Sequence, residues 1–150
     1  MAVLLIVHHS PGPALSTMLS TVVAGAHAPG IQGVEGRVVE ALNADAAMVR
    51  AADGIILGTP ANLGYMSGAL KHFFDTSYNE CLVATQALPY GVFVHGESDT
   101  TGALLGVKTI TTGLRWRLMQ PPVSCIGTPD TAALEACWEL GAAMAAGLME

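Results

Sequence analysis

Residues 2–16 read Ala-Val-Leu-Leu-Ile-Val-His-His-Ser-Pro-Gly-Pro-Ala-Leu-Ser. The apolar run Ala2–Val7 has no polar interruption, the pattern of a parallel strand covered on both faces by helices. Ser10-Pro11 then supplies a helix start, a side-chain cap followed by proline in the first turn. Leu15, Met18, Leu19, Val22 and Val23 continue at helical spacing and define one apolar stripe. A buried strand passing at once into a loop and a helix is the first half of a βαβ unit, and the chain repeats that alternation.

Working outward, Val34–Glu40 alternates with Glu35, Arg37 and Glu40, which predicts an edge strand partly in water. A short helix is expected over Ala44–Ala51. Gly54–Gly58 is a second fully apolar strand, followed by a loop at Thr59–Tyr65 and a helix marked by Met66, Leu70, Phe73 and Phe74. Tyr90–Val94 reads as the fourth strand, ending at His95-Gly96. A helix from Gly102 to Arg117 follows, with Val107, Ile110, Leu114 and Leu118 on one side. Pro122–Ile126 is the fifth strand. Thr128 is placed to cap the last helix, with Pro129 at its first position and Asp130 in its first turn. From that helix Leu134, Cys137, Trp138, Gly141 and Leu148 are expected to face inward. No repeat or linker appears, so residues 1–150 are read as one domain. Right-handed crossovers then give an α/β, three-layer, doubly wound sandwich. The polar second strand at an edge selects the five-stranded parallel order 2-1-3-4-5. In such sheets ligands sit beyond the strand C-termini, here the loops starting at Ser10, Thr59 and His95.

Composition narrows the function classes. Charged residues make up 12% and hydrophobic ones 51%, against about 25% charged in ordinary soluble domains. So few charges suggest that part of the surface is covered by another subunit, a dimer or tetramer. No apolar run reaches the ~20 residues a bilayer span needs, and the first residues lack the basic region of a signal peptide. Net charge is −6 with no basic patch, which argues against nucleic acid. The 3 cysteines lack metal-ligand spacing and suit reduced thiols in a cytoplasmic setting. His8 and His9 point to opposite faces of a strand, so no metal site is expected.

The first loop offers the amides of Gly12, Ala14, Leu15 and Ser16 and the hydroxyls of Ser10 and Ser16 at a helix N-terminus, a plausible phosphate cradle. Pro11 and Pro13 each remove a donor, and a plain helix cap accounts for Ser10 equally well. In the second loop, proline and glycine fix an extended turn at Pro60, Ala61, Asn62, Leu63, Gly64 and Tyr65 whose amides can address a planar ligand. Asn62 adds a donor and an acceptor. In the third, His95 and Gly96 are the nearest contributors, and Glu97 and Asp99 either disfavour negative charge on a ligand or serve the next helix.

Residues 58–75, Gly-Thr-Pro-Ala-Asn-Leu-Gly-Tyr-Met-Ser-Gly-Ala-Leu-Lys-His-Phe-Phe-Asp, resemble the flavin-ring loop and helix of flavodoxin-superfamily NAD(P)H-dependent reductases. The resemblance rests on Pro60, Gly64, Met66, Ser67, Leu70, Lys71, Phe73 and Asp75. It is closest to the NADPH-dependent FMN reductase and NAD(P)H:quinone reductase groups. It implies a flavodoxin-like fold and FMN as cofactor. NAD(P)H would be the hydride donor, and a quinone, a free flavin or another small molecule the acceptor. It also implies that main-chain groups of Pro60–Tyr65 bind the ring, with stacking from Tyr65 because Leu63 replaces the family's usual aromatic. Ser10 and Gly12 would remain from the phosphate cradle, with Ala14 where a polar side chain is common. No side chain is expected to act as acid, base or nucleophile, since the cofactor carries the chemistry. Two other readings are a one-electron flavodoxin-type carrier and a cofactor-free binding or regulatory subunit.

Overall fold

In a computed structural model covering residues 1–150, the apolar run at the start forms β1 (Ala2–His8), the second strand of a twisted sheet. On one side it pairs in parallel with β2 (Val34–Glu40), on the other with β3 (Gly54–Asn62). β3 in turn pairs with β5 (Pro89–Gly96). The fifth position is shared by two short pieces, β6 (Arg117–Leu118) and β7 (Val123–Ile126), both parallel to β5. Pro121 and Pro122 sit between them, and proline cannot donate to a ladder, so the edge strand is interrupted there. The spatial order is β2-β1-β3-β5 followed by β6 and β7, which corresponds to the expected five-position order 2-1-3-4-5, with β2 at an edge and its Arg37 paired to Glu35 in solvent.

Strand alternation sends side chains to two cores. Leu4, Ile6, Ile56 and Phe93 pack under α1 (Pro13–Ala26) and α5 (Thr131–Ala146). Leu5, Val7, Ile55, Leu57, Val92 and Val94 pack against α2 (Ala46–Arg50), α3 (Gly68–Ala84) and α4 (Thr101–Gly113). Trp116 is buried in this second core, its Nε1–H donating to Thr85 Oγ1 at 2.9 Å. No helix is long and apolar enough to cross a membrane.

Several boundaries differ from expectation for local reasons. α1 is capped by Gly12 and starts at Pro13, not at Ser10-Pro11. A proline pushes the residue before it into extended backbone, so with Pro11 and Pro13 spaced by one residue the helix begins only at the second. α5 is capped by Asp130, whose carboxylate accepts from the Ala133 N–H at 2.8 Å, rather than by Thr128. The carboxylate is the stronger acceptor for an orphan N–H. α4 ends at Gly113 rather than Arg117, because Arg115 adopts a left-handed φ of 60° that stops the helix. Trp138 is 38% exposed rather than inward, on the outer side of α5. The largest departure is at the second loop. β3 runs on through Asn62, turns at Leu63-Gly64, and returns as β4 (Tyr65–Met66). Both turn residues have positive φ, 50° and 76°, the geometry of a two-residue hairpin whose twist matches its strands.

Candidate functional site

At the C-terminal ends of β1, β3, β5 and β7 the loops enclose a crevice of about 530 Å³. The first loop contributes Pro11–Leu15 and Thr17, the end of β3 Pro60–Asn62, and the end of β5 His95–Glu97. A fourth wall, Gly127-Thr128-Pro129, comes from the turn after β7. Three loops far apart in the chain therefore meet at one rim, as parallel strands of a single register require. Pro11, Pro13, Pro60 and Pro129 stiffen all but one of the four walls, so little backbone freedom remains to be lost on binding.

Of the residues singled out from the sequence, Gly12, Ala14, Leu15, Pro60, Ala61, Asn62, His95, Gly96 and Glu97 line this crevice. Ser10, Ser16, Leu63, Gly64 and Tyr65 do not. Ser10 Oγ is bound to His8 Nδ1 at 3.0 Å. The Ser16 amide is consumed inside α1, donating to Gly12 O. Leu63 is fully exposed at the hairpin tip. Gly64 and Tyr65 lean on α4: a Cβ on Gly102 would strike Gly64 O, and one on Gly106 would strike the Tyr65 ring. Tyr65 thus packs on a helix in place of standing over the crevice. Gly127, Thr128, Pro129 and Thr17 were missed by sequence reasoning. Gly127 carries the one usable signal, a glycine directly after an apolar strand, and its φ is 75°.

Each wall is held by its own contacts. Thr59, fully buried, donates to Pro60 O at 2.8 Å and accepts from the Ser67 N–H at 2.9 Å. Ser67 Oγ in turn caps α3, accepting from Leu70 N–H at 3.1 Å. The third and fourth walls are tied together: His95 Nε2 lies 2.8 Å from Gly127 O, and the Gly127 N–H donates to Gly96 O at 2.9 Å. Thr100 and Ser124 hydroxyls meet at 2.6 Å just below. Asp99 serves the start of α4, accepting from both the N–H and Oγ1–H of Thr101. Those two hydrogen bonds hold its carboxyl below the usual carboxylate range. Glu97 takes the other course and lines the crevice.

The two ends of the crevice differ chemically. At the α1 end the amides of Gly12, Ala14 and Leu15 have no partner within the chain, and they sit where the helix dipole is positive. No Lys or Arg lines the crevice, and Glu97 is its one charged side chain. What the α1 end offers an anionic group is therefore main-chain donors, not counter-charge. At the other end, Pro60–Asn62 and His95–Gly96 run side by side, with Pro60 opposite His95 in the sheet register. No group of three or more metal-ligating side chains is present.

Sequence comparison with curated proteins finds no match. Among solved structures, the chain is similar to the flavodoxin, WrbA-like protein from Agrobacterium tumefaciens, at 21% identity and TM-score 0.78 over 98% of this chain and 97% of that one. It is also similar to a flavodoxin from the domain Archaea, at 17% identity and TM-score 0.81 over 97% of each chain. The two-electron reduced Megasphaera elsdenii flavodoxin gives 21% identity and TM-score 0.80, over 95% of this chain and 98% of that one. At such identities these likenesses establish the flavodoxin fold. The model of the NADPH-dependent FMN reductase family matches residues 21–127, a span that takes in the second and third walls and stops short of the first. The chain belongs to the NADPH-dependent FMN reductase family.

Proposed function

We propose that the crevice binds FMN and that the protein is an NAD(P)H-dependent oxidoreductase acting on a quinone, free flavin or another small acceptor. The observation that carries this reading is the convergence of unpaired amides at Gly12, Ala14 and Leu15 with the paired walls Pro60–Asn62 and His95–Glu97 on one crevice of about 530 Å³. The α1 amides hold the phosphate. The carbonyls and amides of the second and third walls, with the Asn62 amide, address the polar edge of the ring. The flavin itself supplies hydride acceptance and onward electron transfer. Glu97 biases the site against negative charge on the ring, and Gly127–Pro129 closes the side left open by the other walls.

Family membership supports the activity, and the low charge content supports a homo-oligomer that covers the exposed ring face. Leu63 on the hairpin and Leu105 on α4, 106% and 62% exposed, are apolar surface that such a subunit would cover. Titration with FMN, read by flavin absorbance and fluorescence, tests binding. Oxidation of NADPH with a quinone or ferricyanide, with and without FMN, tests the reaction. No perturbation of the flavin spectrum at millimolar FMN would refute the reading and favour a cofactor-free binding subunit.

A further inference from the structure

His8 ends β1 and is only 8% exposed, immediately before the first wall of the crevice. Its Nδ1 lies 3.0 Å from Ser10 Oγ, so the ring engages the Ser10 hydroxyl, and Ser10 does not line the crevice although the adjoining Pro11 does. We propose that His8 is a positioning residue that links FMN binding to the uptake of one proton, by releasing the Ser10 hydroxyl to the phosphate. The inference rests on the FMN reading above and deepens it.

The chemistry follows from the two states of the ring. The neutral ring is assigned the Nε2–H tautomer, in which Nδ1 accepts the Ser10 O–H and the hydroxyl proton points at the histidine. Once Nδ1 carries a proton it no longer accepts the Ser10 O–H, and the serine side chain is free to rotate its hydroxyl toward an anion at the N-terminus of α1. The proton comes from solvent: an O–H bond of hydronium breaks, an N–H bond forms at Nδ1, and no other covalent bond changes. A phosphate dianion gains a donor and a cation behind it, so it favours the protonated ring.

The surroundings leave the ring poised. Burial pushes the His8 pKa below its ordinary 6.5, Glu40 on the neighbouring strand raises it, and His9 lowers it. β3, whose Gly58 lies opposite His8, carries no ionisable side chain, and neither does α1. Burial, the largest of these influences, favours the neutral ring in the free protein, and a bound phosphate moves its pKa upward. Between the free and bound pKa values the complex carries the extra proton, so the Kd falls as pH falls, by up to about tenfold per pH unit.

The test compares FMN and riboflavin binding by flavin fluorescence between about pH 6 and 8 for wild type, His8→Gln and Ser10→Ala. NMR titration of the His8 ring in the wild-type protein, with and without FMN, runs alongside and needs no variant to fold. The expected result is an FMN Kd that tightens several-fold toward low pH in wild type relative to either variant. The phosphate's own ionisation near about pH 6 cancels in that comparison. Riboflavin, lacking the phosphate, should show no such difference, and the His8 titration midpoint should rise when FMN is added. A midpoint that FMN leaves unmoved, or wild-type and His8→Gln profiles that superimpose, overturns the inference while FMN binding stands. If FMN fails to bind wild type at any pH, both readings fall together.

Discussion

Gly96 closes β5 between two walls of the crevice, and replacing it with alanine tests whether those walls are as tightly apposed as they look. An added Cβ would lie 2.8 Å from Asp99 O, 3.2 Å from Thr100 Cγ2 and 3.3 Å from Ala61 Cβ. Ordinary contact begins near 3.4 Å, so the first of these is short by roughly 0.6 Å. The obstacle is main chain, and it is braced by the Asp99–Thr101 bonds and the Thr100–Ser124 pair. The turn 96–100 must therefore widen, carrying Glu97 outward and loosening the Gly96–Gly127 hydrogen bond. Overpacking of this size costs about 1–2 kcal/mol, which for a chain of this length lowers the melting temperature by about 3–6 °C. Displacing two walls by several tenths of an ångström should weaken FMN binding about tenfold. Gly68→Ala is the control, because a Cβ there meets nothing within 4 Å and begins a helix. It should leave FMN binding unchanged and raise stability slightly. Thermal unfolding and FMN fluorescence quenching read both quantities. The reasoning is refuted if Gly96→Ala binds FMN within about twofold of wild type and melts within about 1 °C of it.

Leu63 holds φ at 50° while fully exposed, so Leu63→Asn converts the hairpin tip to Asn-Gly and should stabilise the fold by about 1 kcal/mol; a lowered melting temperature would count against the strain. Thr85→Val keeps the shape of the side chain but strands the buried Trp116 N–H, and urea unfolding followed by tryptophan fluorescence should show a loss of about 1–3 kcal/mol. The Asp99 carboxyl is held low by Thr101, so its contribution is present above its unfolded pKa and fades as pH falls through the folded one. Asp99→Ala should therefore melt lower than wild type at neutral pH and converge with it in strong acid, where a constant offset would show that the carboxylate charge plays no part.

The register of function along this chain was only partly written in local sequence. Pro60–Asn62 and His95–Glu97 were legible because glycine and proline directly after apolar strands mark the rim where parallel sheets bind ligands. Ser10 stands outside the crevice lining because its hydroxyl meets His8, two residues back at the end of β1, and competing hydrogen bonds are invisible without side-chain geometry. Tyr65 lies outside the crevice lining for a related reason. Whether its ring stacks over the crevice or lies on α4 depends on Gly106, which is 41 positions further on and whose missing side chain makes the room.

Periodicity and punctuation alone decided the strand–helix alternation, the edge position of Val34–Glu40 and the end of the sheet at which a ligand sits. Each follows from the need to bury apolar faces while pairing every backbone group, and each is a nearest-neighbour property of the chain. Only the folded molecule decided the fourth wall at Gly127–Pro129, the extension of β3 into a hairpin, and the division of loop residues between crevice and packing. Those outcomes depend on contacts such as His95 with Gly127 and Gly64 with Gly102, between residues that no local pattern relates and that meet only once the sheet has closed its register.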